Sequence, residues 1–436
     1  MKTAEDPHSH FLLTTGQPLK ESRVKKFAVL IPLTLMAVLI PAEASAAGPL
    51  IPVQPGGSAA SDVAVSSVGR VSSAVKAADE QRSFQLDAAS IATQTSRPLA
   101  QVTAELNWQG EVNQEAKRLA GLYPTTLTGV RILSHEKRSV WVGFEGRAPK
   151  VALPFGSDAT VVSNQPMSEM ELRQATSDVA RQARALFGVE VTAAPDAVTR
   201  SIDVIVTKVT PADSAGKILQ LAAGTVGTKS DSVKLNVTFD PTATSEAEAA
   251  SGGAKLETID KGSVHCTSAF SIVRNGVTGM LTAYHCGSTF THENFDGDTE
   301  YSASTVASTF GTNGDLRWYN TPTNEVPQFR ANYSDLRNLY TAPGFSEGQW
   351  MCHFGYGNGK SCDTVFRIHV STGQLSNLIA MSHHKTTGGN SGGPWFFGGG
   401  GYGVHRGLTT IKSQKRAVFT PLNRVWPAFD AYILVN

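Results

Sequence analysis

The chain has 436 residues, 41% of them hydrophobic and 17% charged, with a formal net charge of +1. That balance can bury sizeable cores, which argues against wholesale disorder, and the length suggests two or three domains. A near-neutral charge gives no global electrostatic case for nucleic acid or an anionic membrane as partner, and 40 glycines favour a turn-rich β protein over a helical one.

The amino-terminal segment carries Lys20, Arg23, Lys25 and Lys26, an apolar run over 27–40, and then Ala42-Glu43-Ala44-Ser45-Ala46-Ala47. Basic, then apolar, then small is the pattern of a secretory signal peptide. The run is shorter than the roughly 20 residues a membrane span needs. Residues 1–46 are therefore expected to be a leader cut near Ala44 or Ala46, giving a secreted protein without a stable membrane anchor. The polar stretch before Lys20 means that the leader is extended or that the true start lies further in.

Residues 47 to about 105 are rich in Ala, Ser, Val, Gln and Pro without firm periodicity, and read as the loosely ordered start of a pro-region. A helix is expected over 113–122 and an alternating strand over 138–144. Ser168 with Glu171 forms a capping box ahead of Leu172, Val179, Ala183 and Leu186 at near-helical spacing, and Gly188 can end that helix. Ile202, Val204 and Val206 alternate again; a short helix over 214–223 and a strand at Val233, Leu235, Val237 and Phe239 complete an α/β unit. The unit has no cysteine and no recognisable catalytic cluster. Residues 241–253 are small, polar and flexible in character, a good place for a protease to cut, or else a linker that is never cut. The pro-region is thus assigned to 47–250 and a second domain to 251–436.

After Lys255 short alternating segments are punctuated by Gly, Asn, Asp and Ser, which is the signature of an all-β barrel or sandwich. All four cysteines, Cys266, Cys286, Cys352 and Cys362, lie here, and an even count in one region suits two disulfides in an exported domain.

Peptide hydrolysis by serine needs a hydroxyl on a tight turn near backbone N–H groups, an imidazole to take its proton, and a carboxylate to fix the imidazole tautomer. Thr386-Thr387-Gly388-Gly389-Asn390-Ser391-Gly392-Gly393-Pro394 suits the first, with Ser391 as nucleophile and the N–H groups of Gly389 and Ser391 converging on an oxyanion. Taken alone, a serine in a Gly-rich loop is an ordinary turn. Leu281-Thr282-Ala283-Tyr284-His285-Cys286 suits the second: a disulfide between Cys266 and Cys286 would pin His285, one of eleven histidines. Asn313-Gly314-Asp315-Leu316-Arg317-Trp318 suits the third through Asp315, with Asp335 in Tyr333-Ser334-Asp335-Leu336 as the rival.

The order His, Asp, Ser, with T-A-x-H-C and G-N-S-G-G-P, resembles the chymotrypsin-like serine proteases, and most closely the bacterial α-lytic protease and streptogrisin group. Met351-Cys352-His353-Phe354-Gly355 up to Cys362 resembles that group's disulfide-closed hairpin, Asp315-Leu316-Arg317-Trp318 the surroundings of its aspartate, and Val418-Phe419-Thr420-Pro421-Leu422 the strand before its closing helix. The resemblance covers about residues 256–436. It implies two six-stranded antiparallel β-barrels with the site between them, disulfides Cys266–Cys286 and Cys352–Cys362, a pro-region that assists folding and inhibits until cut away, peptide substrates, no cofactor, and a monomeric mature enzyme. The chain departs from the group in having Asn390 before the nucleophile instead of an aspartate. A neutral Asn390 cannot pair with a newly freed α-amino group, so activation by that route is not expected.

Glutamyl-specific relatives have a histidine where His405 stands and a threonine where Thr386 stands. A carboxylate entering a partly buried pocket needs a cation or strong donors, so cleavage after Glu or Asp is one expectation. The other is that His405 is structural and the pocket takes small or apolar side chains. Arg406 can add charge to the pocket or point to solvent. A catalytically dead binding relative would have lost one of the three groups, and an esterase would show G-x-S-x-G in the order Ser, Asp, His. Adjacent His383 and His384 rarely chelate one ion, and no H-E-x-x-H occurs.

Overall fold

The computed structural model describes residues 65–67, 71–150, 153, 159–207, 233–240, 245–247, 254–258, 264–293, 300–320 and 325–436. Residues 48–436 form one compact unit. Residues 1–47, with the expected leader and its cut, lie outside the described residues, as does the helix expected over 214–223.

A three-residue strand, β1 (Val65–Ser67), precedes two long helices, α1 (Ser73–Thr95) and α2 (Leu99–Leu122). Expectation and structure part here. The segment read as loosely ordered is helical from Ser73 onward, and the helix expected over 113–122 is only the end of α2. The buried positions of α1 are Ser83, Asp87, Ala88, Ile91 and Ala92, and those of α2 include Glu105, Gln109 and Glu115. Small and polar residues on the packed face blur the apolar period that marks a helix in sequence. What holds α1 and α2 is a core shared with the later sheets: Ala88, Ile91, Val102 and Leu106 pack in one cluster with Phe270, Phe329, Phe354 and Phe396. Each fully buried large side chain there contributes about 1.5–3 kcal/mol.

Next come β2 (Leu127–Ser134), β3 (Ser139–Glu145) and β4 (Ala159–Gln165) in one small sheet, and α3 (Glu169–Phe187). The capping box is present, with Glu171 N–H donating to Ser168 Oγ and Ser168 N–H to Glu171 Oε2, and Gly188 ends the helix at φ 69°. A second small sheet follows, of β5 (Val191–Asp196), β6 (Ser201–Thr207) and β7 (Lys234–Asp240), with α3 packed on it through Val179, Ala183, Val204 and Val206.

The rest is almost entirely β. The first large sheet contains β9 (Lys255–Thr258), β10 (Val264–Thr267), β11 (Ser271–Arg274), β12 (Val277–Thr282), β13 (Thr289–Glu293), β14 (Glu300–Gly311) and β15 (Gly314–Tyr319). Its order is β1-β24-β11-β12-β15-β14-β13-β9-β10, where β24 is the last strand, Tyr432–Val435. The hairpin β16 (Gln328–Asn332) and β17 (Asp335–Asn338) leads to the second. There β18 (Trp350–Gly355), β19 (Gly359–Val370), β20 (Leu378–Met381), β21 (Pro394–Phe397), β22 (Gly400–Ile411) and β23 (Gln414–Pro421) run in the order β21-β18-β19-β20-β23-β22, and pairing of β21 with β22 closes the ring. A short helix α4 (Val425–Phe429) precedes β24.

This is the two-sheet β architecture expected, with one difference of detail. The second sheet is a closed six-stranded barrel, whereas the first is a curled sheet. The free edge of β11 is occupied by β24, Ile272 opposite Ile433 and Val273 opposite Tyr432, so among the described residues it pairs there and not across the ring. Within 241–253, the strand β8 (Ser245–Ala247) lies antiparallel to β22, with Ala247 opposite Gly407 and Ser245 opposite Thr409. Among the described residues, no helix is long and apolar enough to cross a membrane.

Candidate active site

Ser391 stands in the loop between β20 and β21, and at the two glycines that follow it nothing larger fits. Gly392 has φ +87°, and a Cβ on it would come within 2.1 Å of Thr267 O and 2.2 Å of Thr282 Oγ1. The turn is tied to both large sheets. Thr267 N–H of β10 donates to Ser391 O at 2.6 Å; Gly392 N–H donates to His405 O and His405 N–H to Gly393 O, both at 2.8 Å. Gly389 has φ 117°, and its carbonyl accepts from Thr267 Oγ1 at 3.1 Å.

His285 is in a one-turn 3-10 helix, Tyr284–Cys286, directly after β12. A disulfide joins Cys286 to Cys266 of β10, and Arg317 Nη2 holds the Tyr284 carbonyl at 2.7 Å. The second disulfide, Cys352–Cys362, crosses the β18–β19 hairpin, where the two residues face each other in register.

Asp315 is the second residue of β15 and is fully buried. Its N–H donates to Thr420 Oγ1 of β23 at 3.0 Å. Its Oδ2 lies 2.7 Å from His285 Nδ1, and Oδ1 accepts from His285 N–H at 3.3 Å. On the other side of the ring, Nε2 lies 2.8 Å from Ser391 Oγ. A carboxylate only accepts, so Nδ1 carries the ring proton and Nε2 is left to accept from the serine hydroxyl. Burial alone would push the Asp315 carboxyl up; the charge of and hydrogen bond to His285, and then the charge of Arg406, outweigh it and hold it below the usual carboxylate range. The rival Asp335 is engaged elsewhere, its Oδ2 accepting from Arg337 Nη2 at 2.7 Å.

The structure thus brings His285, Asp315 and Ser391 together, two from the first sheet and one from a loop of the second. Asn390 is buried beside them, its Nδ2 donating to Asn358 Oδ1 at 2.6 Å. Thr386 is buried in the loop leading to Ser391. His405 is fully buried, and its Nδ1 accepts from Trp395 Nε1 at 3.2 Å. One group beside the pocket was missed in sequence, and the alternatives left for Arg406 both fail. His353 of β18 faces the His405 ring at 4.7 Å between centroids and is driven well toward its neutral form, by burial first and by His405 second. Arg406 points neither to solvent nor into a pocket but toward Asp315, Nε to Oδ2 3.7 Å. A single His within a β hairpin carries no signal by itself. His383 Nδ1 lies 2.8 Å from Asp363 Oδ1.

A closed barrel and a curled sheet, with histidine and aspartate from one meeting a serine from the other, is the two-sheet β fold that the resemblance implied. No family model matches the chain, and no curated protein matches it. Matching solved structures include a glutamic acid specific serine protease that utilizes a novel histidine triad in substrate binding, 20% identical over 42% of this chain and 98% of that one, TM-score 0.36. Thermobifida fusca Protease A is 24% identical over 42% and 98%, TM-score 0.35, and Nocardiopsis Protease 20% identical over 43% and 98%, TM-score 0.35.

Proposed function

We propose that the chain is the precursor of a secreted serine endopeptidase whose triad is Ser391, His285 and Asp315. The observation that carries this is the continuous relay from Ser391 Oγ through His285 to the buried Asp315, at 2.8 and 2.7 Å. Ser391 attacks the scissile carbonyl; His285 takes its proton and returns it to the leaving amine; Asp315 fixes the ring; an acyl-enzyme forms and water releases it. The N–H groups of Gly389 and Ser391 hold the oxyanion. A fluorophosphonate probe is expected to label the matured wild type and not Ser391→Ala. Equal labelling of the two would sink the reading.

The edge of β22 supports a peptide substrate. Along that edge β21 pairs up to Val404, the nucleophile turn pairs with His405, and beyond it Gly407–Thr409 pair with β8. An extended peptide added to a strand edge gains its main-chain hydrogen bonds without regard to sequence. The chain's own β8 holds that edge and runs from opposite Thr409 to opposite Gly407, toward the turn that carries Ser391. The next residue in the sequence is Glu248. Residues 47–248 are therefore proposed as the pro-region, 1–46 as the exported leader, and the Glu248–Ala249 bond as the one cut.

Buried His405 and His353, close behind the turn, support a pocket that meets an acidic side chain with imidazole N–H donors, Thr386 adding a hydroxyl. Peptides matched except for Glu, Asp, Ala, Phe or Lys before the scissile bond test this. Glu is expected to be turned over fastest, and poor turnover of Glu beside Ala or Phe would favour the small or apolar pocket instead. Amino-terminal sequencing of the secreted form is expected to begin at Ala249.

A further inference from the structure

Arg406 occupies a place that the reaction as written does not use. β22 meets β23 at His405 opposite Phe419 and next at Gly407 opposite Val418, so Arg406 is the extra residue of a bulge. A bulge re-aims the side chain of the unpaired residue. Here it turns a guanidinium that is only 7% exposed toward Asp315. Its Nε is 3.7 Å from Oδ2, the same oxygen that lies 2.7 Å from His285 Nδ1. One fully buried carboxylate oxygen therefore faces both the imidazole and a permanent cation.

The two partners compete for that oxygen's charge. When His285 accepts the Ser391 proton it becomes a cation stabilised by Asp315. Arg406 offsets part of the same negative charge and opposes a second positive one nearby. It also holds the carboxylate ionised and, with the Thr420 hydroxyl on the Asp315 N–H, confines its orientation. Other charged or ionisable groups around the pair are Arg317 of β15, which is turned away onto the Tyr284 carbonyl and Thr305 Oγ1, the Tyr284 phenol of the 3-10 helix, and His405 of β22. Of the strands flanking β15, β14 places Phe310 opposite Asp315 and Thr309 opposite Leu316, and β12 places Thr282 opposite Arg317, none of these three being ionisable.

We propose that Arg406 is a positioning residue of the triad, sharing Asp315 Oδ2 with His285 and extending to lower pH the range over which the imidazole can take the serine proton. The proposal rests on the triad reading above. It is tested on the full chain, expressed and left to mature, as wild type, Arg406→Gln and Arg406→Lys. In the Gln variant the acidic limb of kcat/KM is expected to move up by about 0.5–1 pH unit, so that activity below the limb falls roughly three- to tenfold more than at pH 8. The Lys variant, which keeps the charge, is expected to stay near the wild type. Superimposed limbs for wild type and Gln, or equal shifts for Gln and Lys, would overturn the proposal. Arg406→Met, which preserves bulk, replaces the Gln variant where that fails to accumulate, with the same expected shift. A wild type that the probe does not label on Ser391 would instead remove the triad reading itself.

Discussion

Asp315 has no exposed surface, yet the proposed mechanism depends on it. Its carboxyl is held low in the folded chain, so its contribution to stability is present above the unfolded value of about 4 and is lost as pH falls through the lower folded value. Asp315→Asn is expected to leave the fold intact at neutral pH and lower kcat about 10³–10⁴-fold, because an amide no longer enforces the ring tautomer. A loss of less than tenfold in steady-state assays would remove Asp315 from the triad. At this scale the sequence was unevenly legible. Ser391 and His285 stand in short local motifs whose glycines and cysteine explain themselves. Asp315 could be separated from Asp335 only by likeness to known neighbours, and in space the separation is made by Arg337. The orientation of Arg406 depends on a bulge, which is a property of two paired strands and leaves no mark on one of them.

Among the elements, α1 is the least legible and the most firmly anchored. Asp87 is fully buried on its inner face. It accepts from Arg337 Nη1 at 3.0 Å, Lys360 Nζ at 2.5 Å and Gly398 N–H at 2.6 Å, while Asp335 takes the other side of Arg337. Two cations and two carboxylates thus sit in one mostly buried cluster joining α1 to the β16–β17 hairpin and to β19. Buried pairs are costly to half-remove. Asp87→Asn is expected to destabilise the uncut chain, held uncut by Ser391→Ala, by about 3–5 kcal/mol in denaturant unfolding. Breaking the exposed Asp178–Arg181 pair of α3 is expected to cost less than about 0.5 kcal/mol. Equal effects would show that the cluster has no special weight. A charged residue on a packed helix face reads in sequence as a solvated one, which is why this helix escaped detection; its partners are more than 200 residues away.

For the whole molecule, the β2–β4 and β5–β7 sheets meet the second large sheet at a further charged junction. Arg131 of β2 and Asp196 of β5 bind Glu347 and Arg367 of the β18–β19 region, and Ala193 exchanges both backbone hydrogen bonds with Ser371. Burial would raise the Asp196 carboxyl, but Arg131 and then Arg367 hold it at about 2. That stabilisation is complete above about pH 4 and is lost between there and about 2. A Ser391→Ala chain nicked once in the 241–253 segment is expected to elute as one species at pH 7 and to separate as pH falls through that window in size-exclusion chromatography. Separation already at pH 7 would show that the junction does not hold the parts. An all-β barrel or sandwich was legible from alternation and turn residues and its division in two only from the family resemblance, whereas the capture of the β11 edge by β24 joins residues some 160 positions apart and was not legible at all.

The nucleophile turn carries one more consequence. In the full-length chain the three side chains already stand at bonding distance, Asn390 Nδ2 is paired with Asn358 Oδ1, and Ser391 has no exposed surface. For the precursor proposed above, latency is a matter of access and not of geometry. Maturation then has no slow rearrangement of the catalytic groups to wait for. Activity should appear without a lag as the covering segment departs, and because that segment belongs to the same polypeptide, its half-time should not depend on protein concentration.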